Sequence, residues 1–123
     1  MDIQNLLSQA EQFHEQQHRL LDFWEDNIWL LQQFVLQTKD FQHLVVISDY
    51  IETVRGKYFF AHKHDINPIF QELCKIAIAI SIKTKGFQID NYLRYFDPTS
   101  GYALRMKALV EFRLLQNPRQ EMI

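Results

Sequence analysis

A chain of 123 residues has length for one hydrophobic core, and its lone cysteine, Cys74, excludes an intrachain disulfide. Three glycines in all exclude most nucleotide-cradling loops, and there is neither a CxxC pair nor a nucleophile elbow. The formal net charge of −2 hides a division: residues 1–54 carry two basic side chains against nine acidic (net −7), and residues 55–123 carry eleven against six (net +5).

Such a split bears on partners and encounter, not on fold. An acidic surface suits a basic partner, a basic one suits nucleic acid or an acidic protein, and the two could also neutralise each other. Ten Phe, five Tyr and two Trp are a heavy aromatic load for this length, useful in cores and in interface hot spots alike. Cys74, between Leu73 and Ile76, reads as a buried thiol. The N-terminus has Asp2 where a signal peptide needs a basic region, and the longest aliphatic tract, Ile76 to Ile82, is far short of the ~20 residues of a spanning helix. The expectation is therefore a cytoplasmic protein with no membrane segment and no cofactor.

In chain order, Ile3, Leu6, Leu7, Ala10, Phe13, Leu20, Leu21, Trp24, Ile28, Leu31 and Val35 form one stripe at helical spacing. It predicts a long N-terminal helix over residues 2–37, with Asp22 and Glu25 as a capping box that could break it near Leu21. From Leu20 onward, Phe23, Trp29, Leu30, Phe34 and Leu36 make the helix apolar nearly all round, which predicts a central or interfacial segment. Asp40 can cap a second helix with Phe41, Leu44, Val45, Ile47, Ile51 and Val54 inward, ending near Arg55 or Gly56 or running through Phe60. Residues 62–67 read as a connector. Asn67-Pro68 is a strong helix start for a third helix to about Lys85, with Gly86 as its left-handed stop. Residues 75–83 alternate with Ile at 76, 78, 80 and 82, a strand signature, so a hairpin over 75–95 is the alternative. Asp97 to Gly101 is a turn. A last helix follows from Tyr102 to about Gln116, with Ala103, Met106, Leu109, Val110 and Leu114 inward and a frayed tail at 118–123. The expected architecture is all-α: one domain, 1–123, as a compact four- to five-helix bundle.

Three constellations carry chemistry. His14-Glu15-Gln16-Gln17-His18 matches H-E-x-x-H, in which histidines at i and i+4 share a helix face and can grip zinc while Glu15 activates water. The pattern makes His14, Glu15 and His18 metal candidates, with His43, Glu52 or Glu72 as further ligands. The bland alternative is a solvated polar face without metal.

Arg55-Gly-Lys-Tyr-Phe-Phe-Ala-His62 sets an arginine before a histidine at a spacing that resembles the signature of HEPN-domain ribonucleases. These are small all-helical proteins that use a dimer to bring two such motifs together. The resemblance covers two residues, and Gly56 stands where the family often carries Asn, Asp or His. It implies metal-independent RNA cleavage, with His62 handling the 2′-hydroxyl proton and Arg55 stabilising phosphate charge. Lys57, Tyr58, Lys63 and His64 would then hold phosphate and stack bases. The alternative for this segment is a core of aromatic rings with charges around it and a polar connector at 62–65.

The third constellation is Trp24 and Trp29 beside Asp22, Glu25 and Asp26, aromatic anchors in an acidic rim suited to a basic protein partner. Small immunity proteins, antitoxins and inhibitors have this general character. The expectation is a helical interaction protein that binds and inhibits or regulates a basic partner, with the ribonuclease as runner-up and a homodimer open to either.

Overall fold

A computed structural model describes residues 2–59, 65–86 and 88–116, with side chains through Phe112. Among these residues the chain is all helical: α1 (Ile3–Glu11), α2 (Gln17–Gln37), α3 (Phe41–Tyr58), α4 (Pro68–Thr84), the short α5 (Ile89–Leu93) and α6 (Gly101–Gln116). The connector histidines His62 and His64, with Lys63, lie outside the described residues, as do Phe60, Phe87 and the tail at 118–123.

The single N-terminal helix expected over 2–37 is two helices. A chain of i→i+3 bonds (Phe13 N–H to Ala10 at 3.0 Å, His14 N–H to Glu11 at 3.1 Å, Gln16 N–H to Phe13 at 2.9 Å) tightens the backbone after α1. Gln16 is then extended, at φ −126° and ψ 93°. No Gly or Pro causes this. The six residues from His14 to Arg19 are all polar, so a straight helix would gain nothing from the core there. Turning folds Phe13 onto Phe23, with centroids 5.9 Å apart, and lays α1 against α2 and α3. The Tyr58 hydroxyl donates to the His14 carbonyl and holds the turn. No break occurs near Leu21: α2 runs straight through Asp22.

The most buried helix is α4, not α2, although Glu72 and Lys75 keep one edge of it polar and half-exposed. It packs against α2, α3 and α5 and buries Phe70, Leu73, Cys74, Ile76, Ala77, Ile78, Ile80 and Ser81. The isoleucine alternation over 76–82 is therefore helical, and the hairpin alternative at 75–95 is replaced by α4 and α5. A helix packed by three neighbours is apolar over most of its circumference, so its apolar residues can match a period of two as well as 3.6. Its start is as expected: Asn67 accepts the Ile69 N–H at 2.8 Å, with Pro68 in the first turn. Its stop shifts by one residue. Lys85, not Gly86, is left-handed (φ 57°), with Lys85 N–H bonded to Ile82 and Gly86 N–H to Ser81 in a Schellman arrangement.

Burial pushes the Cys74 thiol up to about 12, so it is a protonated core group at neutral pH. Lys83 on α4 donates to the carbonyls of Val35 (2.6 Å) and Thr38 (2.8 Å), closing the C-terminal end of α2 where a cation meets the helix dipole favourably. Ser100 caps α6 through the Ala103 N–H at 3.2 Å. No described helix is long and apolar enough to cross a membrane.

Candidate functional site

The nine acidic residues of the N-terminal half have separable fates. Asp2 and Asp40 cap α1 and α3 through the N–H groups of Gln4 (3.0 Å) and Gln42 (2.9 Å). Glu52 is taken up inside the molecule, accepting from Arg55 Nη2 at 2.8 Å and from the Tyr92 hydroxyl. Glu11, Glu15 and Asp49 line a groove between α1 and α3. Asp22, Glu25 and Asp26 stand exposed on α2 and make no ion pair among the described residues.

That last group forms a face because of helical spacing. The core stripe of α2 is Leu20, Trp24, Ile28, Leu31 and Val35, all buried. On the opposite side Asp22, Glu25, Asp26, Trp29, Gln33 and Leu36 recur at i, i+3, i+4, i+7, i+11 and i+14. The run spans about 21 Å at 1.5 Å per residue. Trp29 is 58% exposed and Leu36 68% exposed. One turn beyond Trp29, Gln32, Gln33, Val35 and Leu36 with Glu72, Lys75, Ile76 and Ala79 of α4 form a shallow groove of about 250 Å³, in which Glu72 accepts from Gln32 and pairs with Lys75. The face thus grades from carboxylates through an indole to a groove of mixed lining, on an element packed against α4 and α1 and tied to α3 through Trp24.

Trp24 does not belong to it. It is fully buried, and its indole Nε1 donates to the Tyr50 hydroxyl at 2.9 Å. Its ring packs edge-on against Phe23 at 5.0 Å. As a member of the apolar stripe it fastens α2 to α3, and in doing so aims Trp29 outward. Of the two tryptophans expected to anchor a partner, Trp29 alone reaches solvent.

The α1–α3 groove, about 580 Å³, was not legible in the sequence. Gln4, Ser8, Glu11, His14 and Glu15 come from the N-terminal segment and Asp49, Tyr50 and Thr53 from α3, and only the fold joins them. Lys57 reaches Glu15 at its rim and holds that carboxyl below the usual carboxylate range.

The zinc pattern dissolves in the turn. His14 and Glu15 lie between α1 and α2, Gln16 is extended, and His18 is exposed on the first turn of α2. The two histidines therefore do not share a helix face, and the premise for gripping a metal at i and i+4 is lost. Among the described residues no three His, Cys, Asp or Glu side chains converge on a metal site.

The arginine of the ribonuclease pattern is committed elsewhere. Arg55 donates to Glu52 through Nε (3.2 Å) and Nη2 (2.8 Å) and lies 5.8 Å from the Tyr92 ring centre. Burial alone would raise the Glu52 carboxyl, but the hydrogen bonds from Arg55 and Tyr92 outweigh it and hold it below its usual range. Tyr58 stacks on Phe70 at 5.7 Å, and Lys57 pairs with Glu15, so these described members of the basic cluster make internal contacts. His62, Lys63 and His64 lie outside the described residues.

Compared with family models, curated proteins and solved structures, the chain matches none.

Proposed function

We propose that this protein is a helical interaction module that docks a basic protein partner on the outward face of α2 and inhibits or regulates it. One observation carries the reading: three carboxylates without ion partners among the described residues, Asp22, Glu25 and Asp26, border an indole left 58% exposed on a helix whose opposite side is locked in the core. Aromatic anchors in well-packed surroundings supply most interface energy, and a charged rim sets on-rate and partner choice. The groove beyond Trp29, with Val35, Leu36, Ile76 and Ala79 beside the Glu72–Lys75 pair, would take a partner side chain with an apolar stem and a polar end. A single buried cysteine suits action in a reducing compartment such as the cytoplasm.

The test is affinity capture on immobilised wild-type protein beside Trp29→Ala and Asp22→Asn/Glu25→Gln/Asp26→Asn variants. The expected result is a basic protein retained by wild type, eluted by salt and lost from both variants. Wild-type emission should also change when the recovered protein is titrated in. Retention equal on all three surfaces would refute the docking face. In parallel, EDTA-resistant cleavage of RNA that Arg55→Ala and His62→Ala both abolish would replace this reading with the HEPN-like ribonuclease.

A further inference from the structure

Helix α6 is apolar on two sides. Tyr102, Met106 and Val110 pack against the core beside buried Ala103. On the other side Leu104 (56% exposed), Ala108 and Phe112 (57% exposed) recur at i, i+4 and i+8 and face solvent. The helix meets the rest of the described fold chiefly through α5, and among the described residues nothing covers this outer stripe.

We propose that the outer face of α6 pairs antiparallel with α6 of a second copy, about a two-fold axis near Ala108. The pattern is self-complementary, as a two-fold interface requires, where residue i meets j and j meets i. Leu104 and Phe112 stand four positions either side of Ala108, so an antiparallel partner brings each against the other. The small side chain of Ala108 at the crossing lets the helix axes approach. Lys107 and Glu111 lie on one flank of the stripe. A two-fold axis perpendicular to both helices keeps that flank on the same side, so Lys107 of one copy meets Glu111 of the other, twice. Neither has an ion pair within its own chain among the described residues. By helical rise Arg105, on the opposite flank, and Glu111 each fall about 9 Å from their own copies, near the screening length of physiological salt, whereas Lys107 falls about 3 Å along the axis from its own copy. At about 100° per residue Glu111 lies about 60° and Lys107 about 100° from the direction of Ala108, so Lys107 approaches the other copy's Glu111 more closely than its Lys107.

Charge complementarity in register with the apolar residues selects a second copy over an unrelated partner. With three seam residues per copy, the dimer belongs to the weak, concentration-dependent class. This surface is separate from the α2 face, so either proposal can fail alone.

Sedimentation equilibrium from low micromolar to near-millimolar concentration tests it, on wild type, Glu111→Lys, Lys107→Glu, the swap Lys107→Glu/Glu111→Lys, and Phe112→Asp. These positions are exposed, and circular dichroism confirms the fold of each variant. Wild type should associate reversibly to a dimer. Each single charge reversal should weaken it about tenfold or more, because every change acts twice. Phe112→Asp should abolish it, and the swap should recover wild-type affinity to within about threefold. A wild type that stays monomeric throughout overturns the proposal. So does a reversal that leaves the dimer intact, or a swap as weak as its single parents.

Discussion

Replacing Tyr50 by Phe removes one oxygen and keeps the ring. That oxygen accepts the Trp24 indole N–H at 2.9 Å, and the two rings sit 5.7 Å apart at 54°. Trp24 has no exposed surface and Tyr50 is 6% exposed, so the variant strands a donor in the core. Leaving a buried donor unmade costs about 1–3 kcal/mol, more than the ~1 kcal/mol net worth of an ordinary hydrogen bond. Tyr50 also borders the α1–α3 groove, so water reaching the indole would bring the cost toward the lower end. A loss of about 2 kcal/mol corresponds to about 8 °C in Tm for a chain of this length, at ~2.1 cal/mol/K per residue. Urea titrations followed by tryptophan emission and by circular dichroism would read it, with the denaturant slope unchanged. Trp24→Phe and the double variant close a cycle whose coupling should be about 1 kcal/mol. A Tyr50→Phe protein within about 0.5 kcal/mol of wild type would refute the claim that this bond fastens α2 to α3.

Lys85 holds a left-handed conformation at φ 57°, so Lys85→Gly should stabilise the protein by about 0.5–1 kcal/mol, read as a higher urea midpoint. The Glu52 carboxyl is held below its usual range, so its contribution is present above the unfolded pKa, about 4.3, and is lost as pH falls through the folded value. Wild type should therefore exceed Glu52→Gln in stability at pH 7 and lose that margin toward pH 3, and a margin equal at both pH values would count against the pairing with Arg55 and Tyr92. Trp29→Ala should leave stability within about 0.5 kcal/mol while removing most acrylamide-quenchable emission, since the remaining Trp24 is buried.

The fold was legible where chain chemistry is local. Asp40 and Asn67-Pro68 announce the starts of α3 and α4 through side-chain acceptors and a fixed φ, and both cap as expected. The turn between α1 and α2 has no such marker. Its signal is the apolar gap from His14 to Arg19, which in sequence looks like the polar face of a continuing helix. Reading that gap as helix also created the zinc pattern, since an i, i+4 argument holds only where the backbone is helical. Trp24 was a different failure. It already belonged to the stripe Leu20, Trp24, Ile28, Leu31 and Val35, which marks the core side, while Trp29 sits five positions on and therefore across the helix. The acidic groove needed α1 and α3 side by side, which no local pattern encodes.

The two halves of the chain could have neutralised each other, and the contacts show how far they do. Glu15 meets Lys57, Glu52 meets Arg55, and Lys83 is spent on the carbonyls ending α2. None of these reaches the outward face of α2, where Asp22, Glu25 and Asp26 crowd within about one turn and Arg19 is the only cation on the helix. Like charges three and four positions apart repel by a few tenths of a kcal/mol per pair. A face serving solubility alone would relieve this by interspersing lysines. Neutralising the triplet as Asp22→Asn/Glu25→Gln/Asp26→Asn should therefore raise the urea midpoint slightly in low salt, and the gain should vanish in high salt as screening removes the repulsion. The same variant should lose the basic partner, the trade expected where stability is given up for binding. A triplet variant less stable than wild type in low salt would mean that these carboxylates support the helix, and the case for a docking face would then rest on Trp29 alone.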